Sequence, residues 1–303
     1  MRLLTHPRNQ REFNALIASE EACQRYLAGI RWPEGFVCPA CAHRRAWVVR
    51  SRWQECASCG RQTSLTAGTM FQDTRYPLRM WFQAIWYVTG QKHGASALGL
   101  QRVLGLGSYH TAWAWLHRLR RAMVRPGRER LTGTVQVDES YWGGERSGKR
   151  GRGAVGKSLI LAAVEHTGRR LGRIRLVRIA DAQAQTLAGA LATLVEPGSS
   201  IETDGLPSYR GLGAAGYHHQ VIRADTRDDL LPQVHLVVSL LKRWLLGTHQ
   251  GGVQASHLDY YLDEFTFRFN RRTSHSRGLL FRRVLEHAVQ LAPVREADLH
   301  APD

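Results

Sequence analysis

Thr134-Val135-Gln136-Val137-Asp138 reads as a β-strand that ends on a carboxylate, and the residues after it supply the rest of a mixed α/β pattern. Residues 157–164 and 171–179 read as two more strands. Residues 182–194 have helical composition and follow Asp181, a residue type that caps helices through its side-chain oxygen. Residues 200–203 read as a fourth strand ending at Asp204-Gly205. Residues 232–246 read as a helix. So do residues 256–269, where Leu258, Tyr261, Leu262, Phe265 and Phe269 fall on one stripe.

Three strands, a helix, a strand and then helices is the order expected of a ribonuclease-H-like α/β core, a mixed sheet with flanking helices. In such a sheet the first and fourth strands lie side by side, so Asp138 and Asp204 reach the same edge. Two neighbouring carboxylates repel, and a hard divalent cation relieves the repulsion while leaving positions open for phosphate and water. Two such ions about 3.5–4 Å apart clamp the attacking and leaving oxygens of an in-line phosphoryl displacement. Glu139 is next to Asp138 in the strand and therefore points to the opposite face. Between the first two strands, residues 143–157 carry Arg146, Lys149, Arg150, Arg152 and Lys157 among six glycines. This composition cannot bury a core and predicts a mobile basic loop, either a solvated hairpin tip or a phosphate clamp.

Upstream, Arg125-Pro126-Gly127-Arg128 reads as a linker. Before it, residues 96–104 and 109–123 read as two helices separated by Gly105-Leu106-Gly107-Ser108. A short helix, a tight turn and a longer basic helix are the grammar of a helix-turn-helix over residues 76–125. Arg118, Arg120 and Arg121 on the second helix are the candidates for DNA contact. An earlier helix begins near Leu78, with Met80, Trp81, Ile85 and Val88 on one face, and stops at Gly90. Still earlier stand two C-x2-C pairs, Cys38/Cys41 and Cys56/Cys59. Four thiolates paired in this way close a tetrahedral Zn²⁺ site, giving a structural zinc ribbon over residues 31–72. Residues 10–29 read as one N-terminal helix in which Cys23 is a buried packing residue. That leaves residues 130–290 for the catalytic region and residues 291–303 as a tail.

Forty-two Lys and Arg against 25 Asp and Glu give a net charge of +17 and an isoelectric point near 10.5. An excess this large favours a polyanion, and double-stranded DNA is the first candidate. Nothing reads as a signal peptide or a long apolar span, so no membrane partner is expected. The odd cysteine count fits a reducing cytosol, with the protein at the bacterial nucleoid.

The motifs then become specific. Arg31-Trp32-Pro33-Glu34-Gly35-Phe36-Val37-Cys38-Pro39, Thr63-Ser64-Leu65-Thr66-Ala67-Gly68-Thr69-Met70-Phe71 and Val137-Asp138-Glu139-Ser140-Tyr141-Trp142-Gly143-Gly144 occur in that order. They are followed by Thr203-Asp204-Gly205, Lys242-Arg243-Trp244-Leu245-Leu246-Gly247-Thr248-His249 and the stretch from Tyr261 to Asn270-Arg271-Arg272. In these blocks the chain resembles an insertion-sequence transposase of the DDE type, in the zinc-ribbon-bearing (ISXO-two-like) group. The resemblance implies a ribonuclease-H-like catalytic domain using Mg²⁺ or Mn²⁺, with Asp138 and Asp204 as ligands. It also implies a third site residue seven positions before a Lys or Arg on a late helix. Lys242 fits the basic position, which puts His235 at the third site, where the family commonly has Glu or another polar residue. Residues seven apart share a helix face, and Glu264 is the alternative carboxylate. Arg271 and Arg272 either pair with DNA phosphates or support their helix.

The function this implies is transposition. The N-terminal modules would recognise terminal inverted repeats, and a homo-oligomer on paired ends would cleave and join DNA. The substituted third position keeps a second reading open, a catalytically inactive, domesticated or decayed relative acting as a DNA-binding regulator. A plain structure-selective nuclease on the same fold is a third, which the two recognition modules argue against.

Overall fold

The computed structural model describes residues 6–50, 52–125, 127–143, 157–223, 230–295 and 298–299. The chain divides into two units, Met1–Pro126 with Ser274–Asp303, and Gly127–Thr273. The first begins with α1 (Gln10–Leu16) and α2 (Glu20–Arg31), where the sequence pattern predicts one helix. Ser19 makes the break. Its backbone is extended and its side chain accepts the Ala22 N–H at 3.2 Å, so it starts a new helix. Cys23 is fully buried in α2.

The ribbon follows as β1 (Ala46–Arg50), β2 (Trp53–Cys56) and β3 (Gln62–Ser64), antiparallel in that order. Arg31, at the end of α2, ties itself to the strand that closes the ribbon by donating to the carbonyls of Ser64 and Ala67 at 3.0 and 2.5 Å. Next come α3 (Leu78–Gly90), α4 (Ala97–Leu104) and α5 (Tyr109–Ala122). Gly105 ends α4 at φ +64°, a left-handed conformation that glycine adopts without a Cβ clash.

The second unit holds a five-stranded sheet of β4 (Thr134–Trp142), β5 (Ser158–Thr167), β6 (Arg170–Ile179), β7 (Ser200–Thr203) and β8 (His218–Val221), in the order β6-β5-β4-β7-β8. β4, β5 and β6 form an antiparallel meander, while β7 and β8 run parallel to β4. One face packs Val135, Val137, Leu161 and Ile201 against Leu187 and Leu191 of α6 (Ala184–Leu194). The other packs Ile160, Ala162 and Leu176 against Val237 and Leu241 of α7 (Pro232–His249) and Phe265 of α8 (Leu258–Phe269). This mixed sheet between two helical layers is the ribonuclease-H-like core.

Three details differ from the sequence reading. Asp181 is not the cap of α6: Gln183 holds that position, and the Asp181 carboxylate accepts the Gln183 N–H at 3.0 Å instead. The polar edge strand β8, His218-His219-Gln220-Val221, has no apolar face to announce it. Finally, α9 (Arg277–Ala288) was not expected and belongs to the first unit, so the second unit ends at Thr273. Phe281 of α9 stands edge-on to Phe13, Phe82 and Trp86 at 5.5, 5.6 and 5.8 Å, and the chain returns to complete this aromatic core. Gly278 admits the close approach: a Cβ there would lie 1.5 Å from the Pro7 carbonyl oxygen.

Candidate active site and metal centre

The four ribbon cysteines converge. Their sulfurs all lie within 4.8 Å of one another, with Cys38–Cys59 and Cys41–Cys56 at 3.6 Å and Cys41–Cys59 at 3.5 Å. Bonds of about 2.3 Å from a tetrahedral Zn²⁺ would set sulfurs about 3.8 Å apart, so the donor set fits that ion. A disulfide would need about 2.05 Å, and all five cysteines are free. Burial raises the Cys38 thiol, but the N–H groups of Ala40 and Cys41 outweigh it and bring it down to about 6. Cys56 is also lowered, first by the Cys59 N–H. The His43 N–H lowers Cys41, but contact with the Cys59 sulfur, burial and the Cys56 and Cys38 sulfurs outweigh it and push it up to about 12. Thiolate is the metal-binding form, and the backbone donors favour it at Cys38 and Cys56. The hydrophobic cluster beneath is small: Phe36, Cys38 and Cys56, with Trp32 and Ala46 against it.

In the second unit, strand alternation sends Val135, Val137 and Glu139 to the α6 face and Gln136 and Asp138 to the α7 face. His235 stands in the first turn of α7, and its Nε2 lies 3.1 Å from Asp138 Oδ2. The other carboxylate oxygen of Asp138 accepts the Glu139 N–H at 2.8 Å. Burial pushes the Asp138 pKa up, the Glu139 N–H and His235 pull against it, and the charge of Asp204 adds to the rise. Asp204 directly follows β7 and accepts the Leu206 N–H at 3.0 Å, which turns the chain sharply. Lys242 is half-buried two turns along α7. Burial lowers its pKa, Asp138 raises it and Lys157 lowers it, so both lysines share the field of this edge.

His235 thus touches Asp138, and Asp204 and Lys242 each lie near enough to Asp138 to feel its charge. Among the described residues, however, only the cysteines form a set of three or more His, Cys, Asp or Glu ligand atoms within 4.8 Å. Two hard carboxylates with an imidazole suit a divalent cation by donor chemistry, Mn²⁺ more readily than Mg²⁺.

Behind this edge lies a pair that sequence reasoning did not find. Tyr209 is fully buried, and its hydroxyl donates to Glu139 Oε1. Burial raises the phenol's pKa, and Glu139, Asp138 and Asp204 raise it further. The signal was slight, a tyrosine five residues after Asp204. Glu264, the alternative third carboxylate, is fully buried in α8 and bonded to Arg268 at 2.7 Å, so its charge is committed there.

The expected DNA-contacting arginines separate. Arg121 is exposed, whereas Arg118 is half-buried and donates to the Val294 carbonyl at 3.2 Å. Arg120 is 2% exposed, which removes it from any DNA-facing set. The reason is that α5 packs on most sides, with Ala112, Ala114, Trp115, Leu116, Leu119 and Ala122 all buried. Arg271 and Arg272 take the supporting role. Their guanidinium groups lie 4.2 Å over Phe267 and Phe269, and Arg272 also donates to the carbonyls of Leu171 and Gly172. Lys149, Arg150 and Arg152 lie outside the described residues. No helix among the described residues is long and apolar enough to cross a membrane.

Residues 130–270 match the family model of the ISXO2-like transposase domain, and residues 18–62 match that of the transposase zinc-ribbon domain. The chain is also similar to a Halobacterium salinarum protein described as an uncharacterized protein in transposable element ISH50. The two are 29% identical over 289 residues, covering 82% of this chain and 90% of that protein.

Proposed function

Since the chain belongs to the ISXO2-like, zinc-ribbon-bearing transposases, we propose that it binds the terminal inverted repeats of an insertion sequence and catalyses metal-dependent cleavage and joining of their DNA. The observation that carries this is the grouping of Asp138, Asp204, His235 and Lys242 at one edge of the sheet. Asp138 and Asp204 would hold Mg²⁺ or Mn²⁺, which when bound supplies Lewis acidity toward the scissile phosphodiester. His235 completes the ligand set or takes the proton of the attacking hydroxyl, both within reach of an imidazole whose Nε2 touches Asp138. Lys242 holds a phosphate beside it. The net charge of +17 supplies the sequence-independent share of DNA affinity. The zinc ribbon and the α4–α5 pair, through the exposed N-terminal residues Tyr109 and His110, are the modules for end recognition.

Strand cleavage and joining on the element's own end DNA tests this, with Asp138→Ala, Asp204→Ala and His235→Ala beside wild type. Loss of activity in all three is expected. Activity surviving in His235→Ala alone would remove that residue from the site. Specific end binding with no cleavage by wild type would favour the inactive DNA-binding regulator.

A further inference from the structure

α7 carries His235 in its first turn, so whatever fixes that end of the helix fixes His235 over Asp138. The helix cannot do this from its own sequence. Leu231 occupies the capping position and has no side-chain oxygen, and Pro232 has no N–H. The first intrahelical bond is that of the His235 N–H to the Leu231 carbonyl. The N–H groups of Gln233 and Val234 are left needing an acceptor.

Gln136 of β4 supplies it. Its Oε1 accepts both, from Gln233 N at 3.0 Å and from Val234 N at 3.3 Å. Gln136 is 4% exposed and stands two residues before Asp138, on the same strand face. Its own amide is held in turn, because Nε2 donates to Glu202 Oε2 at 3.0 Å. Glu202 is the cross-strand partner of Gln136 on β7, and the same oxygen meets His166 Nε2 at 3.1 Å. One rung beneath Asp138 and Asp204 there is therefore a second layer, His166–Glu202–Gln136, that ends on the α7 N-terminus.

We infer that Gln136 is a positioning residue for the Asp138–His235 site: its amide oxygen caps α7 from the sheet and thereby sets the imidazole against the carboxylate. This rests on the reading above of Asp138 and His235 as site residues. The amide orientation matters because Glu202 accepts only the NH2 end, which turns the oxygen toward the helix. Exchanging the acid and the amide across the rung, Gln136→Glu with Glu202→Gln, keeps one donor between them and keeps an acceptor toward α7.

The test uses full-length protein with ¹⁵N-labelled histidine, and the imidazole signals absent from His235→Ala identify His235. Gln136→Leu should move the His235 signals, and the Gln136→Glu/Glu202→Gln exchange should bring them back. On end DNA, Gln136→Leu should lower the cleavage rate roughly 10- to 100-fold, as loss of a buried supporting partner does, with end affinity unchanged. The exchange should restore the rate.

Unmoved His235 signals in folded Gln136→Leu would overturn the inference, as would a Gln136→Leu cleavage rate equal to that of wild type. If Gln136→Leu does not fold, the exchange variant decides: native-like His235 signals support the role and displaced ones refute it. Wild type that cleaves no DNA would defeat the transposase reading, while the imidazole spectra would still decide the place of Gln136.

Discussion

Asp138 and Glu139 are adjacent in the chain, yet the pleat of β4 sends one carboxylate to His235 and the other to Tyr209. The alternation was legible because it needs only a strand. His235 was reached through the resemblance, but two other partners were not legible: Tyr209 is 70 residues from Glu139, and Gln233, which meets Gln136, is 97 away. Arg120 was misread for a related reason. Helical periodicity shows which residues share a face, not how many elements close around the helix. The Tyr209–Glu139 bond lends itself to a simple stability measurement. Tyr209→Phe leaves a carboxylate facing a ring edge without its donor. It should cost about 1–3 kcal/mol in denaturant unfolding, with end-DNA affinity unchanged. An unaltered unfolding midpoint would show that water replaces the hydroxyl.

At the level of elements, the helix of residues 78–90 and the four core strands were readable because each carries its own apolar pattern. β8 and α9 were not: one is polar, and the other makes sense only beside the aromatic rings of Phe13, Phe82 and Trp86. The Asn270-Arg271-Arg272 motif proves to be a fastening between elements. The Asn270 side chain accepts the Ile174 N–H at 2.7 Å and donates to the Ile174 carbonyl at 3.1 Å, pairing with β6 as a strand would. On the same hairpin, burial raises the Glu165 pKa, but Arg173, at 2.5 and 2.9 Å, and the Thr132 N–H hold it below its ordinary 4.5. The unfolded chain therefore takes up this proton first as pH falls. The stability from Glu165 is full at neutral pH and is lost as pH drops below 4.5 through the lowered folded value. The melting-temperature gap between wild type and Glu165→Gln should be widest near neutrality and close in acid. A gap that persists unchanged in acid would exclude the carboxylate's charge as its source.

On the scale of the whole molecule, the zinc ribbon was the clearest signal, because two C-x2-C pairs state their ligand set outright. The boundary of the second unit was hidden, since α9 joins residues far upstream in the chain. The ribbon's slight hydrophobic cluster makes Zn²⁺ its main source of order. A strong chelator should release one equivalent of zinc and abolish hydrogen-exchange protection over β1–β3, while β4–β6 stay protected. Retained protection in the ribbon would contradict this. For the catalytic edge, the most direct measurement is cleavage of end DNA by Asp204→Cys in Mg²⁺ and in Mn²⁺. A thiolate is a poor ligand for Mg²⁺ and a better one for Mn²⁺. If Asp204 holds the metal, the variant is inactive with Mg²⁺ and regains cleavage with Mn²⁺. Full activity with Mg²⁺ would contradict a ligand role for Asp204 and, with it, the two-carboxylate site.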